Sequence, residues 1–90
     1  MTTVNTVLGP VQSEDLGFTL IHEHVGTNAA GLRHTYPEFI DRSGIIEESA
    51  AALKEAYNEG LRTMVDVSTF DLGRDIGAMQ EVSRKSGVRI

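Results

Sequence analysis

The chain contains no cysteine, has only two prolines, and carries few basic residues for its size. Without cysteine, a disulfide framework, a cysteine-ligated zinc and a cysteine nucleophile are all excluded. Eight basic side chains stand against 13 acidic ones, for a formal charge of −5. Binding along a nucleic acid requires a basic face that neutralises phosphates, and none is visible. An anionic membrane surface is disfavoured on the same ground. Apolar runs extend over a few residues only, far short of the roughly 20 that span a bilayer. The start, Met1-Thr2-Thr3-Val4-Asn5, lacks the basic segment and apolar run of a secretory signal. The chain therefore reads as soluble and cytoplasmic.

What is present is ordinary globular composition: 40% hydrophobic and 23% charged residues, which argues against a disordered tail or a fibrous repeat. Ninety residues make one domain at most, and a chain this short buries only roughly 60–65% of its unfolded surface. The β-forming segment Gly17 to Val25 reads as a strand. An irregular stretch from Gly26 to Gly44 follows, and a connection of that length is more often functional than idle. Ile46, Ala50, Leu53 and Tyr57 recur with helical period, with Ser43 as candidate N-cap and Gly60 as stop. Thr63 to Val67 reads as a buried strand. A helix follows from Arg74 to Ser86, with Ile76, Met79 and Val82 inward, Asp71 as a candidate cap, Arg74 as a candidate ion-pair partner and Gly87 as the close. Val88-Arg89-Ile90 begins a third strand. Near the start, Val4 to Val11 reads as a small antiparallel ribbon turning at Gly9-Pro10.

The order is β-loop-α-β-α-β, which implies parallel strands with right-handed crossovers. A parallel sheet needs both faces covered and its edges managed. The reading is thus of one partial domain, residues 1–90, forming the N-terminal part of something larger.

Within the first strand, His22 and His24 stand at i and i+2 and project on one side, with Glu23 turned away. They lie at the carboxyl end, where α/β folds place their chemistry. Two neutral imidazoles on a rigid strand make half of a divalent-metal site. A bare His-x-His is equally compatible with structural or surface histidines, so the surrounding motifs have to decide. These are Asn5-Thr6-Val7-Leu8-Gly9-Pro10, Gly17-Phe18-Thr19-Leu20-Ile21-His22-Glu23-His24, Tyr36-Pro37-Glu38-Phe39 and Val65-Asp66-Val67-Ser68-Thr69-Phe70-Asp71-Leu72-Gly73-Arg74-Asp75. In this order, and over almost the whole chain, they resemble the phosphotriesterase (aryldialkylphosphatase, or parathion hydrolase) family of the amidohydrolase superfamily. The resemblance is closer to the phosphotriesterases proper than to the related lactonases.

The resemblance implies an α/β fold, the N-terminal β-α-β-α-β portion of a (β/α)8 TIM barrel, with a two-metal centre, usually zinc, at the carboxyl ends of the strands. It implies His22 and His24 as first-strand metal ligands and hydrolysis of a phosphotriester, or alternatively a lactone, by a metal-bridging hydroxide. The implied partners are a small-molecule organophosphate or lactone substrate and, in the complete enzyme, a second copy as a homodimer. The family's remaining ligands, a carboxylated lysine, two histidines and an aspartate, belong to later strands. Lys54 and Lys85 both fall in helical segments, so neither is offered as the bridging ligand. By the same resemblance Leu72 lines the substrate pocket, and Thr27 replaces a glycine beside it, which narrows one subsite.

Other residues carry alternatives. Glu23 either orients an imidazole or serves the structure. Asp66 interrupts an apolar strand, where an unpaired carboxylate is costly; it is either hydrogen-bonded near the site or paired with a basic side chain. His34 is a remote candidate for a third ligand. Gly26 to Gly31 is glycine-bearing but lacks the lysine and hydroxyl residue of a phosphate loop. Glu48, Glu55 and Glu59 read as a solvated helix face. Two readings compete with the hydrolase: a non-catalytic α/β module, and a nuclease or deaminase relative with the same histidine pair.

Overall fold

Alternating short strands open the chain. In the computed structural model, which describes residues 2–90, β1 (Thr3–Thr6) pairs antiparallel with β2 (Gly9–Gln12). The turn is Val7-Leu8, not Gly9-Pro10, because Thr6 pairs with Gly9 and Asn5 with Pro10. A proline lacks the N–H that a central strand needs but is tolerated in an edge ribbon. The Thr6 hydroxyl fastens the turn instead, donating to the Gly9 carbonyl at 2.7 Å and accepting from Leu8 N–H at 3.2 Å.

The main unit follows as β3 (Thr19–Glu23), α1 (Leu32–Thr35), α2 (Arg42–Asn58), β4 (Thr63–Asp66) and α3 (Ile76–Ser86). β3 and β4 pair in parallel. On the other side of β4, Arg89 bridges Thr63 in parallel, with Met64 N–H donating to the Arg89 carbonyl and Arg89 N–H to the Arg62 carbonyl. The α/β alternation read from the sequence is therefore present. The connection after β3 is less irregular than its lack of period implied: it holds α1 and a 3-10 turn at Pro37–Phe39.

Both long helices begin at an aspartate. The Asp41 carboxylate accepts from Gly44 N–H at 3.0 Å and caps α2, so Ser43 lies inside the first turn rather than at the cap. Asp75 accepts from Ala78 N–H at 3.1 Å and caps α3. Asp71 instead takes the Thr69 hydroxyl within a 3-10 turn. A carboxylate at either position satisfies N–H groups that the helix leaves without partners. At the far end of α3, Gly87 adopts φ +84°, and its N–H donates to the Ser83 carbonyl, the usual glycine termination.

α2 and α3 pack against each other and on the same side of the sheet. The core comprises Val25, Ile46, Leu61, Met64, Ala78, Met79, Val82 and Val88, with Leu53 and Tyr57 partly buried against it. The stripe predicted for α2 is therefore its inner face. On α3, Met79 and Val82 are buried, but Ile76 is 46% exposed and Ala78 takes the inward place. Ile76 is the first helical residue, so it overhangs the core. Glu48, Glu55 and Glu59 are exposed. The ribbon docks at the opposite corner, where Val7 N–H donates to the Ile90 carbonyl and the Gln80 amide to the Val7 carbonyl. Among the described residues no helix is long and apolar enough to cross a membrane.

Candidate metal centre

The register between β3 and β4 decides where the histidines point. Thr19 pairs with Thr63 and Leu20 with Met64, and pairing resumes at Glu23 with Asp66. Three steps along β3 match two along β4, so β3 holds one extra residue at Ile21-His22, a bulge. In an uninterrupted strand Leu20, His22 and His24 would share one side. Leu20 lines the cavity between the sheet and α2, together with Met64, Ser49 and Leu53, so both imidazoles would then face the helices. The bulge inverts the alternation. Glu23 now joins Leu20 in lining that cavity, which His22 does not line. His24, at the strand's end, also reaches the cavity rim. His22 and His24 are both exposed, with ring centroids 5.6 Å apart and planes at 79°.

Asp66 resolves in favour of hydrogen bonding. One carboxylate oxygen accepts from Val25 N–H and the other from Ser68 N–H, each at 2.7 Å. The second bond is an Asx turn, an aspartate side chain closing on the N–H two residues ahead. The first ties the chain immediately after His24 to the neighbouring strand. Ser68 is 5% exposed, and its Oγ lies 2.9 Å from His24 Nδ1. The result is a closed circuit running from His24 through Val25, Asp66 and Ser68 back to the imidazole. Ser68 is the site residue that sequence reasoning missed. The available signal was the Asp-x-Ser spacing at the end of the strand beside the histidines. Glu23 is half-buried on the helix side, turned from the rings.

The two loops expected to border a substrate meet. Asn28 N–H donates to the Leu72 carbonyl at 2.9 Å, which sets Thr27 beside Leu72. Gly73 permits this approach: at φ +75°, a Cβ there would come within 2.3 Å of the Asn28 side-chain oxygen. Leu72 is 37% exposed and Thr27 is exposed. The first of these loops is also anchored to α3, because Arg33 and Arg42 both pair with Asp75. Arg74, the expected ion-pair partner, lines an open groove instead. Partial burial alone would raise the Asp75 pKa, but the bonds from Arg42, Ala78 N–H and Arg33 outweigh it and hold the carboxyl at about 2.

His34 lies in α1 beside Arg33, and among the described residues no group of three or more His, Asp or Glu side chains is placed to hold a metal ion. A groove of about 610 Å³ runs along β4 past Val65, Asp66, Ser68 and Ile76; neither histidine lines it. The donor set at His22 and His24 fits part of a divalent-metal site: two exposed imidazoles, one on β3 and one just past its end, the latter already held through one ring nitrogen.

The model of the phosphotriesterase family matches residues 2–90. This chain belongs to the phosphotriesterase family. An aryldialkylphosphatase of Saccharolobus solfataricus is 32% identical over 80 residues, covering 89% of this chain and 26% of the relative. A phosphotriesterase homology protein of Mycobacterium tuberculosis is 34% identical over 91 residues, covering 100% and 28%. A phospho-furanose lactonase of Mycoplasmopsis agalactiae is 31% identical over 80 residues, covering 89% and 22%. The chain thus spans about a quarter of the length of these phosphotriesterase-family relatives, whose names include both a phosphatase and a lactonase. The resemblance read from the ordered motifs holds at the level of the family.

Proposed function

We propose that this chain forms the first strand-helix units of a (β/α)8 barrel and supplies the first-strand metal ligands of a metal-dependent phosphotriester hydrolase. Strands β3, β4 and residues 88–90 lie side by side in sequence order, with α2 and α3 on one face. Right-handed crossovers that keep one direction leave every helix on the same side, which is how a barrel is wound. The observation that carries the reading is the pair of exposed imidazoles, 5.6 Å apart, at the carboxyl end of a strand that pairs in parallel with β4.

In this reading the two imidazoles would hold a divalent metal, zinc by family resemblance. When bound, such a metal polarises the substrate's phosphoryl or carbonyl oxygen and acidifies water. The chain's own residues hold the imidazoles in place: Asp66 fixes the backbone on both sides of the gap between the strands, and Leu72 and Thr27 form adjoining walls against a substrate substituent. A lactone substrate is the second reading. It is supported by the lactonase among the relatives and by Thr27, whose side chain narrows the wall beside Leu72.

The test is an assay of the protein expressed from its complete gene, against a chromogenic phosphotriester and a panel of lactones, before and after chelation. Chelator-sensitive hydrolysis that disappears in both His22→Ala and His24→Ala is the expected result. Activity and metal content unchanged in both variants would refute the assignment.

A further inference from the structure

We propose that Ser68 is a positioning residue that selects the tautomer of His24, holding the proton on Nδ1 so that Nε2 keeps its lone pair for a ligand. The inference rests on the reading of His24 as a ligand. In a neutral imidazole one nitrogen donates and the other accepts, and the partner of one nitrogen decides which nitrogen is free to bind a metal. Free histidine favours the proton on Nε2, the opposite of what a ligand using Nε2 requires.

Ser68, 5% exposed, places its Oγ 2.9 Å from Nδ1. A serine hydroxyl can donate or accept; with Nε2 as the ligand nitrogen, Nδ1–H donates and Ser68 Oγ accepts. One Asp66 carboxylate oxygen sits 2.7 Å from Ser68 N and the other holds Val25 N–H, the amide next to His24. These two bonds hold the backbone on both sides of the His24–Ser68 contact. His22 shows no such partner among the described hydrogen bonds. The two histidines of the pair therefore differ: His24 has a partner at Nδ1, and His22 has none among the described hydrogen bonds.

The experiment uses the metal-free chain labelled with 15N in its histidine rings, with two-bond proton–nitrogen correlations recorded at about pH 8.5, where neutral imidazole ordinarily predominates. The expected result is the Nδ1–H pattern at His24 and the Nε2–H pattern at His34, which lies exposed in α1. Ser68→Ala should convert His24 to the His34 pattern, and Ser68→Thr, which keeps a hydroxyl, should preserve the original. Zinc titration of the same samples should show affinity falling roughly 10- to 100-fold in Ser68→Ala, in line with other groups that orient a ligating histidine, and staying near the parent value in Ser68→Thr.

An Nε2–H or solvent-averaged pattern at His24 in the parent chain overturns the proposal. So does an unchanged pattern in Ser68→Ala. If that variant unfolds, seen as collapse of amide dispersion, the parent and Ser68→Thr spectra decide alone. An Nδ1–H pattern with no response of His24 to zinc refutes the ligand reading and leaves the tautomer assignment standing.

Discussion

The face of the parallel sheet under α2 and α3 is filled by Met64, Met79, Val82 and Val88, each at most 3% exposed, whereas the opposite face leaves Ile21 77% and Val65 45% exposed. On the first face, stability comes from excluding water around apolar side chains. On the second, the side chains stay open to solvent. The two faces meet at the bulge in β3, where Glu23 lines the packed side and Ile21 stays on the open one. The contrast shows that the chain's packing and its chemistry are largely separable, so substitutions on the two sides should report different quantities.

The largest effect belongs to the packed face. Met79→Ala removes a side chain only 3% exposed and should cost about 2–4 kcal/mol through lost burial and a cavity. Ile21→Ala on the open face should change stability by no more than about 0.5 kcal/mol. Urea unfolding of the two variants checks the pair, and equal losses would erase the distinction between the faces.

Next is the polar clamp. Asp66→Asn keeps one acceptor oxygen and leaves either Val25 or Ser68 N–H without its carboxylate partner, an expected loss of about 1–3 kcal/mol. The amide exchange rate of the affected residue should rise with it. An unchanged rate at both amides would show that the carboxylate is dispensable.

Asp75 gives a smaller, pH-dependent effect. Its pKa is about 2 in the folded chain against an ordinary 3.8. The folded state therefore holds the ionised form more tightly than the unfolded state does. The stabilisation is complete above about pH 4, fades as pH falls toward 2, and is absent below. Asp75→Asn retains a competent helix cap but removes this slope. Melting temperatures between about pH 4 and pH 2 should accordingly fall more steeply in the parent chain than in the variant. Parallel curves would remove Asp75 from the account.

The smallest effect on stability is expected at the site itself. His22→Ala, at an exposed position, should leave the urea midpoint nearly unchanged, His24→Ala should cost only the bond to Ser68, and each should abolish tight zinc binding in the protein expressed from its complete gene. A large stability loss in either variant would make that histidine part of the packing rather than of the open site.

Much of this architecture was legible in the residue pattern. The helical spacing of Ile46, Ala50, Leu53 and Tyr57 located α2 and its inner face, and the apolar run at Thr63 located β4. His22 and His24 were placed on one side by simple alternation. Which side that is could not be read, because alternation counted from Leu20 points them at the helices. Only the pairing with β4 exposes the extra residue, and pairing register is a tertiary property. The turn at Val7-Leu8 was hidden for a related reason: Gly9-Pro10 has turn chemistry, yet a ribbon with a free edge accepts both residues in a strand. Ile76 fits the apolar period of α3 but sits in its first turn, where no second element covers it. Asp66 was recognisable as costly to bury, but its backbone partners depend on two loops meeting. Ser68 is a common residue without a motif of its own, and it gains meaning only 2.9 Å from an imidazole 44 positions earlier.

The most direct test of the open-face site is a zinc titration of the chain followed through the ring signals of its three histidines. The account predicts that His22 and His24 respond together to the same added zinc while His34 stays in place. A response that includes His34 equally, or that leaves either His22 or His24 unmoved, would contradict it.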